Sequence, residues 1–174
     1  AKLSQSNSNE LAKFRAELLA FSLLLGIIIA EIFWFGLPLL FKTTWLGLSP
    51  KTISIASGMV AEIASLAPFG ILVGLFSTWL LSSGRHVNTL LESVPALGIL
   101  IAVLLLPEFG VKALAWGTLA GYATHMLALM FPLVRHKEVE LPKFAGLSEQ
   151  WPYFWKGFGI LLIGSALGSL NTIV

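Results

Sequence analysis

The chain has 174 residues, 56% of them hydrophobic and only 11% charged, with a net charge of +2 and no cysteine. A water-facing domain carries roughly 25% charged residues, so this composition excludes an ordinary soluble fold and calls for lipid as solvent. The small net charge and the scattered aromatic residues exclude a basic nucleic-acid surface, and the missing cysteines exclude disulfides, thiolate metal sites and thiol nucleophiles.

Residues 1–17 are polar and read as a cytoplasmic segment. The first apolar run, Leu18 to Phe41, is a transmembrane helix with one charge, Glu31. It is too long for the hydrophobic region of a signal peptide. A second span is predicted over 53–82, with Glu62 its single charge. A third covers 88–106 with Glu92, and a fourth covers 113–134 with no Asp, Glu, Lys or Arg. Residues 135–152 form the longest loop. Its residues Val139, Leu141, Phe144, Leu147 and Trp151 are spaced either for a segment lying flat on the membrane or for a solvated loop with stray apolar side chains. A fifth span is predicted over 153–174, with Lys156 near its start. The fold class is therefore all-α and polytopic, with about five transmembrane helices. Because the chain lacks an initiator Met and stops within an apolar run, it reads as an internal piece of a longer polypeptide.

Basic residues set the orientation. With five spans, one side holds Lys2, Lys13, Arg15, Arg85, Arg135, Lys137 and Lys143, with Lys156 close by. The other holds Lys42, Lys51 and Lys112. The positive-inside rule makes the richer side cytoplasmic.

Charges within spans are the candidate functional groups. Glu31 lies near mid-bilayer, where a charge costs about 2.5–3.5 kcal/mol on insertion scales. It either contacts an ion or substrate or is a protonated or hydrogen-bonded structural group. Glu62 sits about two turns into the second span from the outer side, where it lines a path or snorkels. Glu92 and Lys156 either pair across helices or reach the interface. Arg85 and His86 occupy a polar turn that marks topology or touches an anionic headgroup. His125 is expected to be hydrogen-bonded inside its helix rather than to relay protons. Pro68 and Pro95 predict bends. The pairs Gly70/Gly74, Gly117/Gly121 and Gly164/Gly168 allow close helix approach. Neither a metal-ligand cluster, a phosphate loop, a nucleophile elbow nor a paired-carboxylate motif is present, so neither enzyme activity, metal nor cofactor is expected.

The stretch from Leu66, LAPFGILVGLFSTWLLSSGRHVNTLLESVPALGILIAVLLL, followed by GVKALAWGTLAGYATHMLALMFPLV, resembles the MviN/MurJ lipid II flippase family, within the multidrug/oligosaccharidyl-lipid/polysaccharide exporter superfamily. The shared features are the helix proline Pro68 before a long apolar run, the small-residue turn Ser82 to Arg85, and the opening Ala113 to Gly121. Gly164 to Val174, with Asn171, is similar to the start of that family's seventh helix. The resemblance implies helices three to seven of a fourteen-helix, MATE-like transporter in the bacterial inner membrane, and it puts the N-terminal end of this segment in the cytoplasm. It implies a lipid-linked glycan precursor as cargo, moved outward by alternating access, with the lipid bilayer and the rest of the same polypeptide as partners. Glu31, Glu62, Asn171 and Arg85 are then the cavity candidates. The family's basic residues for the lipid diphosphate lie largely on its first two helices and its eighth, outside this chain. The Glu92-Ser93-Val94-Pro95 stretch departs from the family's more apolar run. A polysaccharide-lipid or drug exporter of the same superfamily, or a non-transporting membrane scaffold, is the alternative reading.

Overall fold

A computed structural model describes residues 2–43, 46–144 and 146–160. No strand forms among them. The helices are α1 (Lys2–Phe41), α2 (Pro50–Ser57), α3 (Val60–Ser82), α4 (Val87–Leu91), α5 (Val94–Leu105) and α6 (Val111–Arg135), followed by α7 over 151–160. Four stretches are long and apolar enough to cross a membrane: Asn9–Phe41, Val60–Ser82, Val87–Leu105 and Val111–Arg135. The chain is an all-α polytopic membrane protein. The fifth predicted span falls largely on 161–174, outside the described residues.

Two predicted spans are divided. The run 53–82 breaks after Ser57. Ser49 caps α2 by accepting from the Thr52 N–H at 3.2 Å, and Pro50 opens it, where its missing N–H costs nothing. Thirty continuous helical residues would span about 45 Å, well beyond a hydrocarbon core of about 30 Å. Breaking at Gly58–Met59 leaves α3 about 35 Å long and sets α2 apart as a short exposed helix. The run 88–106 breaks at Glu92–Ser93, so Pro95 does not bend a helix interior. It stands in the first turn of α5, where a ring without an N–H fits.

The chain divides into two compact units, residues 1–20 with 140–174, and residues 21–139. In the first, Glu17 is 2% exposed. Its Oε2 accepts from the Ser148 backbone N–H at 2.9 Å and from the Trp151 indole N–H at 2.8 Å. A carboxylate here faces the amino-terminal end of α7, where the helix dipole favours negative charge. Phe14, Trp151, Phe154, Trp155 and Phe158 pack on one another in edge-to-face and stacked pairs, and Trp151 joins them to Glu17.

The second unit is built on α6. Its buried residues, Ala113, Gly117, Gly121, His125, Leu129 and Leu133, recur every fourth position. A helix turns about 100° per residue, so each step of four drifts about 40° around the axis. The buried stripe therefore winds, and α6 packs on two partners, α5 and α3. On the α5 side the backbones nearly touch. A Cβ on Gly98 would stand 2.7 Å from the Gly117 carbonyl oxygen, and one on Gly121 would stand 2.7 Å from Pro95 Cα. α1 also comes close to α3 at Gly26, where a Cβ would lie 2.7 Å from Pro68 Cα. Pro68 is thus a packing surface as well as a helix irregularity.

Candidate functional site

Three polar side chains of the second unit meet where α3, α4 and α6 come together. Asn88, in the first turn of α4, presents Oδ1 to two neighbours. Ser77 Oγ on α3 donates to it at 2.8 Å, and His125 Nε2 on α6 lies at 3.1 Å. An amide oxygen only accepts, so the imidazole proton sits on Nε2. His125 is 5% exposed, and its Nδ1 is buried without a hydrogen bond. One amide thus ties three helices together in an apolar setting, where an unmade hydrogen bond is expensive.

Next to this cluster, α3 and α6 end in the same way. After α3, Gly84 adopts φ 72°, the Gly84 N–H donates to Leu81 O, and the Arg85 N–H donates to Leu80 O. After α6, Lys137 adopts φ 56°, its N–H donates to Val134 O, and the Glu138 N–H donates to Leu133 O. Both are Schellman motifs, which satisfy carbonyls left open at a helix end. Arg85 and Glu138 hold equivalent positions in the two motifs, and they form a salt bridge, Arg85 Nη2 to Glu138 Oε1. Their side chains are 27% and 17% exposed. The second nitrogen and oxygen, Arg85 Nη1 and Glu138 Oε2, are buried without partners.

Among the described residues, the predicted site residues are not brought together. Arg85 is engaged by Glu138 rather than held open as a headgroup contact. Glu31 is exposed on α1, among Ile27, Ile28, Ile32 and Phe35. Five positions separate it from Gly26, which places it about 140° around the helix from the face that meets α3. Glu62 is not two turns into its helix. Because α3 starts at Val60, it lies in the first turn, where the dipole favours a carboxylate by about 0.3–1 kcal/mol. It is half-buried, with Oε2 unpartnered. Glu92 is exposed in the α4–α5 turn, and Lys156 is exposed on α7. Gly70 and Gly74 face open space, with nothing within 4 Å of an added Cβ. Asn171, Gly164 and Gly168 lie outside the described residues.

Sequence reasoning missed Ser77, Asn88, Glu138 and Gly98. The signal for the first two was His125 itself, since a buried imidazole requires a partner. Between α5 and α6 lies an open groove of about 620 Å³, lined by apolar residues such as Leu97, Ile101, Leu105 and Trp116. Among the described residues no group of three or more His, Cys, Asp or Glu is placed to hold a metal. The site can therefore hold helices in register, through one shared amide and one ion pair. Comparison with protein-family models, with characterised proteins and with solved structures found no match.

Proposed function

We propose that this chain is part of a non-enzymatic translocator that carries a lipid-linked glycan precursor, of the lipid II type, from the inner to the outer leaflet of the bacterial inner membrane. The segment's N-terminal end is cytoplasmic in this reading. The observation that carries it is Glu31. The residue lies about 20 Å along the apolar part of α1, which starts at Leu18, and it is exposed on the side turned away from α3. A carboxylate at that depth does not face hydrocarbon. A hydrated path accommodates it, and a charged headgroup needs such a path to cross. A carboxylate does not grip a diphosphate, so Glu31 is assigned to sugar hydroxyls, an amine or a coupling cation. The resemblance of Leu66 to Val134 to the flippase family supports the cargo, and the helix breaks and close glycine packing suit a bundle that changes shape.

The test is lipid II translocation by the whole protein in vesicles. Glu31→Gln is expected to slow transport about tenfold, which corresponds to about 1.4 kcal/mol in the barrier. Normal transport by that variant would remove Glu31 from the path. Lipid II left in the inner leaflet by the wild-type protein would favour the exporter or scaffold reading.

A further inference from the structure

The connection between α6 and α7 leaves large apolar side chains uncovered while its backbone is tied down. Leu141, Phe144 and Leu147 are 86%, 64% and 84% exposed. Trp151, the first residue of α7, turns inward instead, against Phe14 and Glu17. The ties fix the depth. The Lys143 N–H donates to Ala16 O at 3.3 Å, and the Ser148 N–H donates to Glu17 Oε2 at 2.9 Å. Ala16 and Glu17 immediately precede Leu18, where α1 passes from polar to apolar sequence. The connection is therefore held at the level at which α1 enters the bilayer. The aromatic cluster of Trp151, Phe154, Trp155 and Phe158 stands beside it, and Trp and Tyr concentrate at that boundary in membrane proteins. Tyr153, 73% exposed, adds a further amphipathic ring. Lys143, exposed between Leu141 and Phe144, supplies a cation for lipid phosphate.

We propose that Leu141, Phe144 and Leu147 form an interfacial lipid anchor, seated among acyl chains just beneath the headgroups. The anchor fixes the first unit to the bilayer surface, whatever the cargo. Of the five residues spaced for an interfacial segment, it uses these three and leaves Trp151 to the protein interior.

These 174 residues contain no cysteine, so single cysteines introduced among them can carry a label. Single cysteines at Leu141, Leu147 and Asn9 would carry an environment-sensitive fluorophore, in vesicles of phosphatidylcholine and phosphatidylglycerol. Asn9 is exposed on α1, about 13 Å before Leu18, and serves as the aqueous reference. Labels at Leu141 and Leu147 are expected to emit to the blue of the Asn9 label. A nitroxide carried on the lipid just below its headgroup should quench them several-fold more strongly than Asn9, and aqueous iodide several-fold less. Equal iodide quenching at all three positions would overturn the anchor in favour of a solvated loop. Protection from both quenchers would overturn it in favour of a protein partner covering the patch.

Discussion

The two halves of α6 hold their neighbours by opposite means. In the first half, Gly117 and Gly121 remove side chains so that the backbone of α5 can approach, and the contact contains almost nothing polar. In the second half the same four-residue stripe continues as His125, Leu129 and Leu133, and side chains fill the space toward α3. There a hydrogen-bonded amide and a salt bridge close the seam. Within a membrane, where lipid is as apolar as leucine, helices associate through close packing and interhelical hydrogen bonds. A single helix here uses each device once, at opposite ends. The first half tolerates no added volume, and the second tolerates no lost partner.

The sharpest way to break this comparison is to add volume to the first half. A Cβ at Gly121 already falls 2.8 Å from the Pro95 carbonyl oxygen, which is backbone and cannot rotate aside. Gly121→Leu is expected to destabilise the protein by about 3 kcal/mol, at the upper end of overpacking costs. Gly74→Ala, on the same type of residue in open space, should be neutral or stabilise by about 0.5–1 kcal/mol. Thermal unfolding in detergent, followed by circular dichroism, reads both. Equal effects at the two glycines would show that α5 and α6 are not held by backbone contact.

Removing a partner from the second half should have a smaller but definite effect. Asn88→Ala strands the Ser77 hydroxyl and the His125 Nε2–H in an apolar setting. The expected loss is about 2 kcal/mol, within the range for a buried polar group left unsatisfied. The double variant Asn88→Ala with His125→Phe should recover part of that loss, because the imidazole no longer needs an acceptor. A double-variant loss equal to the sum of the two single losses would show that the two residues are not coupled.

How much of this was legible in the sequence follows from the range of each interaction. Four of the five predicted spans have counterparts among the described residues, and these were legible because burial in lipid demands a local run of apolar residues. The turn at Ser82 to Arg85 was legible because Gly84 is the residue that φ 72° requires. Gly117 and Gly121 were visible as a pair, but nothing local distinguished them from Gly70 and Gly74. Both pairs share the spacing, and only the neighbouring helix decides which is used. Arg85 read as a topology marker or a headgroup contact, because its partner Glu138 lies 53 positions away. The break before α5 was hidden because Pro95 signals a bend or a helix start equally well, and the turn at Glu92–Ser93 selects the second.

The paired helix ends offer the finest way to sharpen the comparison, because both close with the same two Schellman hydrogen bonds and differ in the residue at the left-handed position. Gly84 and Lys137 occupy the same left-handed position in the two Schellman motifs. Glycine is at ease there, whereas a residue with a Cβ meets the following carbonyl oxygen at a cost of roughly 1–2 kcal/mol. Lys137 is exposed, so Lys137→Gly removes strain without removing a buried contact. It also frees the unfolded chain, which offsets part of the gain. The expected net stabilisation is about 0.5–1 kcal/mol, read as a raised unfolding midpoint. The converse change, Gly84→Lys, should cost about 1–2 kcal/mol and weaken the Arg85–Glu138 bridge, since the α3 motif sets where Arg85 stands. If Lys137→Gly instead lowers stability, the lysine makes a favourable contact at this end of α6 that outweighs its backbone strain, and the two helix ends are not equivalent.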